Sequence, residues 1–196
     1  MNNVFTYELD DNLYINLTNR CTNACTFCIR NEYDGLGGYT LWLDKEPTAE
    51  EIIKEIPDPQ KYPEIVFCGY GEPTARLEVL KEVAQYIKEK GGKTRLNTNG
   101  HGNVINKRNI VPELKGLIDI ASVSLNAGTK EEYDRVSVPS FDDAFNAVKE
   151  FIKESVSTLP ETIATVVKVP GDPLDIEAAS KLAEELGAQF RVRIYE

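Results

Sequence analysis

Three closely spaced cysteines, Cys21, Cys25 and Cys28, are the residues of this chain whose types and spacing are most suited to chemistry. Thiolates bind zinc or iron. A closed zinc site normally takes four protein ligands, and the sequence offers only one further cysteine, Cys68, and a single histidine, His101. A cubane iron–sulfur cluster also takes four thiolates, so three would leave one iron without a protein ligand. The spacing therefore favours an iron–sulfur site with one iron open to chemistry.

The cysteines lie in the stretch Cys21-Thr22-Asn23-Ala24-Cys25-Thr26-Phe27-Cys28, directly after the alternating apolar run Leu13–Thr18. This x3-then-x2 spacing, with an aromatic residue before the last cysteine, resembles the motif of the radical S-adenosylmethionine (SAM) superfamily. The resemblance implies a [4Fe-4S] cluster on the three cysteines, with the amino and carboxylate groups of SAM completing the fourth iron. It also implies that Phe27 packs near the adenine of SAM.

A second stretch, Gly69-Tyr70-Gly71-Glu72-Pro73, follows the next strand-like run. Two glycines around one residue let the backbone turn sharply and approach a ligand closely, and Glu72 adds a carboxylate. Taken alone, the stretch fits a simple loop better than a ligand site. It resembles the superfamily's Gly-x-Gly-Glu-Pro motif, and the resemblance implies that Gly69, Tyr70, Gly71 and Glu72 contact the amino group of SAM.

Two strand ends further along carry short polar side chains. Asn97 and Asn99 can both donate and accept hydrogen bonds, which suits ribose hydroxyls, although Asn99-Gly100 also fits an ordinary turn. Ser122, Ser124 and Asn126 fall on one face by a period of two. The Ser124-Leu125-Asn126 stretch resembles the superfamily's Ser-x-Asn strand end. The resemblance implies that these side chains contact the ribose and methionine parts of SAM.

Tyr133-Asp134-Arg135 resembles the Tyr-x-Arg sequence found after that strand. The resemblance implies that Arg135 pairs with the SAM carboxylate; the alternative is an ordinary surface arginine. Cys68 is expected to be a small buried side chain rather than a fourth cluster ligand. The loop Gly35–Gly38 is expected to flank the cluster, as a lid with Tyr39 and Trp42.

The elements that must position these residues alternate between strands and helices, which implies parallel strand pairing. The predicted class is α/β: an open, partial (β/α)6 TIM-like barrel, with residues 1–196 forming a single radical SAM core domain, as the resemblance implies. Strands are expected at Leu13–Thr18, Glu64–Cys68, Lys93–Asn97, Leu117–Leu125, Glu161–Val169 and Gln189–Tyr195, and helices at Thr48–Ile56, Leu77–Lys90, Phe141–Ser155 and Asp175–Leu186.

The alternation within the first and last strands predicts a sheet that is polar on one face, as if that face lined a wet cavity. Candidate substrate contacts on this face are Tyr14, Asn16, Arg191, Arg193 and Tyr195, since arginine forks match planar oxyanions. Solvent-filled positions or internal ion pairs are the alternative. His101 is a further candidate, as an acid–base group, a substrate contact or an exposed loop histidine.

The formal net charge is −10, which argues against a nucleic-acid surface. No apolar run approaches the roughly 20 residues of a membrane span, and no signal peptide is apparent, so a cytoplasmic location is expected. The resemblance implies an enzyme that generates a 5′-deoxyadenosyl radical, with a flavodoxin or ferredoxin as reductant and a protein, peptide or small molecule as substrate. The ending Phe190–Tyr195 also resembles small radical SAM proteins associated with TatD-type hydrolases. A non-catalytic iron–sulfur electron-transfer protein or a binding module is the alternative.

Overall fold

Seven strands form one sheet, in the order in which they occur along the chain. The computed structural model describes residues 3–31 and 38–195. The first two strands pair antiparallel, and each later strand pairs parallel to the one before it. The strands are β1 (Thr6–Leu9), β2 (Asn12–Ile15), β3 (Ile65–Phe67), β4 (Thr94–Thr98), β5 (Ile120–Ser124), β6 (Glu161–Lys168) and β7 (Gln189–Ile194).

Helices connect the parallel strands. They are α1 (Ala49–Lys54), α2 (Leu77–Glu89), α3 (Gly102–Ile105), α4 (Val111–Leu114), α5 (Lys130–Ser137), α6 (Ala144–Thr158) and α7 (Ile176–Glu185). Helix α1 begins with a capping box: Thr48 Oγ1 accepts from Glu51 N at 3.2 Å, and Glu51 Oε2 accepts from Thr48 N at 3.0 Å. Among the described residues, no helix has the length and apolar character needed to cross a membrane.

One face of the sheet packs against the helices and forms the core. Ile15, Phe67, Leu96, Val123 and Ala164 come from five successive parallel strands, and each is fully buried within a single apolar cluster. Because such burial is the main favourable term in folding, this face fixes the register of the strands.

The opposite face is largely polar, as the alternation predicted. Strand register places Arg95 beside Val66, Asn97 beside Ser122, and Thr165 beside Arg191. The seven-stranded sheet is open, with β1 and β7 as its edges, and β2 to β7 run parallel. The expected open α/β architecture with six parallel strands is therefore confirmed, with one antiparallel strand added.

Some elements differ from the sequence-based prediction. β1 and α5 were not predicted, because four-residue strands and strongly charged helices carry little periodic signal. β5 begins at Ile120 rather than Leu117, since Asp119 is used to cap the neighbouring strand: its Oδ2 accepts from Thr94 N at 2.8 Å. α6 begins at Ala144 rather than Phe141.

Candidate functional site

The three clustered cysteines lie on the loop that follows β2. Burial raises the pKa of Cys25 to about 12, and the nearby thiols of Cys21 and Cys28 add to the rise. The backbone turns tightly here, with Cys28 N donating to Cys25 O at 3.1 Å. In the part of the chain that the structure describes, no three His, Cys, Asp or Glu side chains converge on one metal ion. Three neighbouring thiols are a donor set that fits three irons of a cubane cluster, which takes one thiolate for each iron.

The cysteine loop is anchored to the end of α5 by main-chain hydrogen bonds. Thr26 N donates to Val136 O at 2.9 Å, and Ser140 N donates to Thr22 O at 2.9 Å. These bonds join segments about 110 residues apart in sequence. The position of the cysteines therefore depends on an element that follows β5.

Arg30 holds the loop together from its other side. Its guanidinium donates to the carbonyls of Asn19 (3.4 Å), Asn23 (3.1 Å) and Tyr70 (3.5 Å). The positive charge of Arg30 also opposes the rise in the pKa of Cys25. Arg30 thus favours the thiolate form that a metal requires. The cysteine motif alone gives no signal for this residue.

Gly69 and Gly71 let the loop after β3 lie directly against the chain that leads into the cysteines. A Cβ atom on Gly71 would lie 2.4 Å from Thr18 O and 2.6 Å from Arg20 O. A Cβ atom on Gly69 would lie 2.1 Å from Asn16 Oδ1. Both glycines are therefore required by the contact between these two loops, whatever ligand their backbone also meets.

Glu72 is buried and braces the same contact. Its Oε1 accepts from the Thr74 hydroxyl at 2.7 Å and from the Thr98 hydroxyl at 2.8 Å, and its Oε2 accepts from Asn99 N at 2.7 Å. Glu72 N donates to Arg20 O at 2.7 Å. Burial raises the pKa of Glu72, and these hydrogen bonds oppose the rise. Protein donors contact both carboxylate oxygens, so Glu72 positions the loops, and its contact with the amino group of SAM stays a prediction.

Asn99 and His101 connect the hydrogen bonds around Glu72 to the loop that carries Cys21. Asn99 Nδ2 donates to Thr22 Oγ1 at 2.9 Å and lies 3.7 Å from Cys21 Sγ. His101 is fully buried, with Nδ1 at 2.8 Å from Thr22 Oγ1 and Nε2 at 2.9 Å from Tyr133 Oη. Burial lowers the pKa of His101 to about 4. The expectation of an exposed histidine is therefore wrong, and neither ring nitrogen is left for a substrate.

The polar residues at the ends of β4 and β5 divide into two groups. Asn97 and Ser122 are neighbours in register, and Asn97 Oδ1 is buried without a hydrogen-bond partner among the described residues. Ser124 is half-buried on the same face. Asn126 instead has a left-handed backbone (φ 63°) and donates to Ser137 Oγ at 3.0 Å. The alternation of side chains between the two sheet faces thus ends at Ser124. The Asn126 side chain instead holds the end of α5 through Ser137.

Arg135 lies on the exposed side of α5. Its Nη1 and Nη2 atoms contact the two carboxylate oxygens of Asp172 at 2.8 and 2.9 Å. The ion pair holds the pKa of Asp172 below its usual range. This geometry matches the surface-arginine alternative, and a contact of Arg135 with the SAM carboxylate stays a prediction.

The aromatic candidates lie at the border of the site. Phe27 is half-buried on the cysteine loop. The Tyr70 side chain is buried beside Leu41, and Trp42 meets its ring edge-on at 5.0 Å between centroids. Residues 35–37 of the expected Gly35–Gly38 lid lie outside the described residues, so the lid stays a prediction.

Of the predicted substrate contacts, Asn16 is used structurally, since its Nδ2 donates to Leu41 O at 2.7 Å and to Val4 O at 3.3 Å. Tyr14 is half-buried, and its hydroxyl lies 3.4 Å from Arg95 Nη2. Arg191 and Arg193 follow one another on the polar face of β7, and Tyr195 comes just after the strand. Arg95 was not predicted as a site residue, although the same period of two places it beside Asn97 on that face.

Cys68 follows β3 on the polar face. Burial raises the pKa of its thiol, and a hydrogen bond with Asn97 and the charges of Arg193 and Arg95 oppose the rise. Cys68 lies outside the loop that carries the other three cysteines, and its exclusion from the cluster ligands stays a prediction.

A family model described as the radical SAM superfamily matches residues 15–183. The chain is 31% identical over 153 residues to a probable GTP 3′,8-cyclase of Thermococcus kodakarensis, which covers 76% of this chain and 44% of the relative. It is 25% identical over 179 residues to 7-carboxy-7-deazaguanine synthase of Methanocaldococcus jannaschii, which covers 85% of this chain and 66% of the relative. The matched stretch spans somewhat less than half the length of the first curated relatives, 47% and 44%.

Solved structures share the fold. Streptococcus suis SuiB bound to the precursor peptide SuiA superposes with a TM-score of 0.63 at 17% identity, over 97% of this chain and 40% of that one. Methylornithine synthase (PylB) superposes with a TM-score of 0.64 at 15% identity, over 94% of this chain and 53% of that one. At these identities the likeness concerns the fold alone.

Proposed function

Because this chain belongs to the radical SAM superfamily, we propose that it is an enzyme whose Cys21, Cys25 and Cys28 hold a [4Fe-4S] cluster that binds SAM. When bound, the cluster and SAM supply the reductive cleavage of SAM to methionine and a 5′-deoxyadenosyl radical, which removes a hydrogen atom from a substrate. The observation that carries the proposal is the group of three neighbouring thiols on a braced loop beside an open polar sheet face. Residues 1–196 are proposed to form one radical SAM core domain.

The chain's own contribution at the cluster is to hold three thiolates at fixed positions. α5 fixes the loop through Thr26 and Thr22, and Arg30 supplies a positive charge beside the thiols. Glu72 and Asn99 connect the loop to the ends of β3 and β4. These are positioning residues, since they act on the site through other residues.

SAM itself is proposed to lie across the carboxyl ends of β3, β4 and β5. Asn97 Oδ1 is a buried acceptor without a protein partner among the described residues, which suits a hydroxyl of the ribose. Ser122 and Ser124 extend the same polar row. The backbone of Gly69–Gly71 and the Phe27 ring are proposed to complete the contacts, with Phe27 against the adenine.

The remaining parts of the function are proposals that rest on the family. The electron donor is proposed to be a flavodoxin or ferredoxin, and the location cytoplasmic. A protein or peptide substrate is supported by SuiB, whose structure holds a precursor peptide, and a small molecule is supported by the probable GTP 3′,8-cyclase. The TatD association stays a prediction.

The decisive experiment is anaerobic. The chain is reconstituted with iron and sulfide, reduced with dithionite and mixed with SAM, and 5′-deoxyadenosine and methionine are quantified. Cys25→Ala is expected to lose both the cluster and the products. Cys68→Ala removes the one cysteine outside the three proposed ligands, so it is expected to keep both.

Two outcomes would contradict the proposal. A Cys25→Ala variant that kept a full iron and sulfide content would remove Cys25 from the ligand set. A fully loaded wild-type chain that bound SAM and produced no deoxyadenosine, also with a flavodoxin system, would favour the electron-transfer or binding-module alternative.

A further inference from the structure

Val138, at the end of α5, has an unusual backbone conformation. Its φ and ψ angles are 44° and 64°, which lie in the left-handed region. A Cβ atom makes this region costly, and glycine or asparagine is the usual residue where a helix ends in this way. The other non-glycine residues with a positive φ in the described part of the chain are Asp10, Asp11, Lys107, Asn126 and Asp143. Among the described residues, Val138 is therefore the one β-branched side chain in this conformation.

The Val138 side chain gains little from its position. The residue is 46% exposed, so burial of apolar surface does little to offset the strain. Pro139 follows, and a proline favours an extended backbone in the residue before it. Valine itself also favours an extended backbone. Both local preferences thus oppose the conformation that the fold imposes on Val138.

Residues 136–140, which we call the α5 turn, hold the loop that carries the cysteines. Ala24 N donates to Val138 O at 3.1 Å. On the other side of Cys25, Thr26 N donates to the same turn, as described above. The two residues that flank Cys25 are therefore both bound to the α5 turn by their main chains. The strained carbonyl of Val138 belongs to the acceptors that fix the backbone at Cys25.

The helix before the turn is held in place by burial, since Tyr133, Val136 and Ser137 are all buried. The strain at Val138 is therefore relieved by movement of the turn and not by movement of the helix. Rotation of Val138 into the extended region would turn its carbonyl away from Ala24 N. The closed turn thus has a higher free energy with valine than with a residue that fits the left-handed region, and the loop opens more readily.

We propose, building on the proposed function, that Val138 is a positioning residue whose strain sets how readily the cysteine loop opens to take up a cluster. Without a cluster, the strained turn favours release of Ala24. Cluster binding to Cys21, Cys25 and Cys28 shifts the equilibrium toward the closed turn, because the three thiols are held together only when the loop is closed.

The test measures hydrogen exchange of the Ala24 and Thr26 amides by NMR in the full chain before reconstitution with iron. Val138→Gly is expected to slow exchange at both amides by about tenfold, because glycine adopts a left-handed backbone without strain and exchange follows the opening equilibrium. Val138→Asn tolerates the same conformation without the added freedom of glycine, and it is expected to slow exchange in the same direction.

Lys107→Gly is the matched control. Lys107 is an exposed residue with φ 55° on the segment between α3 and α4, so the change relieves left-handed strain away from the cysteine loop. It is expected to leave exchange at Ala24 and Thr26 unchanged. After reconstitution, transfer of iron from the cluster to a chelator is expected to be slower in Val138→Gly than in wild type, and equal in Lys107→Gly and wild type.

Equal exchange at Ala24 and Thr26 in wild type, Val138→Gly and Val138→Asn would overturn the proposal. Faster exchange in both variants would also overturn it, because it would show that valine tightens the turn. Slower exchange together with an unchanged rate of iron release would show that the turn does not govern the cluster. Exchange is measured without iron, so a failure of the α5 turn is distinct from a failure of the chain to form a cluster or to cleave SAM.

Discussion

Replacing Gly71 with alanine tests whether close contact between two loops positions the cysteines. The new Cβ would lie 2.4 Å from Thr18 O, 2.6 Å from Arg20 O and 2.9 Å from Arg20 N. Ordinary carbon–oxygen contacts begin near 3.4 Å, so the chain leading into Cys21 would have to move by about 1 Å. All three clashing atoms are backbone atoms, so no side chain can rotate to relieve the overlap.

The cost has two parts. Overpacking of a close contact costs about 1–3 kcal/mol. The hydrogen bond from Glu72 N to Arg20 O, 2.7 Å long, is next to the clash, and leaving such a buried pair unsatisfied costs about 1–3 kcal/mol. The sum, about 2–6 kcal/mol, corresponds to a fall in Tm on the order of 5–20 °C for a chain of this size.

The measurement compares thermal unfolding with iron and sulfide content after anaerobic reconstitution. Gly71→Ala is expected to lower Tm and to reduce cluster loading, because displacement of Arg20 moves the adjacent Cys21. Gly116→Ala is the control, since its Cβ meets nothing within 4 Å and only its left-handed backbone (φ +78°) is strained, at about 1–2 kcal/mol. It is expected to lower Tm moderately and to load a full cluster.

A Gly71→Ala variant with wild-type Tm and full iron content would refute this reasoning. It would show that the loops separate at no cost and that the cysteine positions do not depend on their contact.

Three further predictions concern the brace and its surroundings. Glu72→Gln places an amide donor among the donors of Thr74 and Asn99, so denaturant unfolding is expected to show a free energy of unfolding lower by about 1–3 kcal/mol. An unchanged free energy of unfolding would show that Glu72 does not stabilise the contact between the loops. The pKa of His101 is about 6.5 when unfolded and about 4 when folded, so stability is full above pH 6.5 and falls as pH drops toward 4, by up to about 3 kcal/mol. His101→Gln should reduce this dependence of stability on pH. Since His101 is the only histidine, an unaltered pH dependence would have to come from carboxylates. Arg135→Gln should cost no more than about 1 kcal/mol and keep SAM affinity within twofold; a tenfold loss of SAM affinity would show that Arg135 leaves its partner to bind the cofactor.

The sequence alone predicted the features that depend on local pattern. Strand–helix alternation predicted parallel pairing, and the resemblance to the superfamily implied the sheet order. The period of two within β2 and β7 predicted which face is polar, and the helix predicted at Thr48–Ile56 is α1, with Thr48 as its N-cap. The spacing of the three cysteines, together with the Gly-x-Gly-Glu-Pro and Ser-x-Asn stretches, indicated the superfamily.

Only the tertiary structure decided what each polar residue does. Glu72, Asn99 and His101 have the residue types of ligand contacts, yet each also forms hydrogen bonds with partners within the protein. The His101–Thr22 pair joins residues 79 positions apart, and no local periodicity encodes such a contact. Val138 is a further case, because valine favours an extended backbone and only the tertiary structure holds it in the left-handed region.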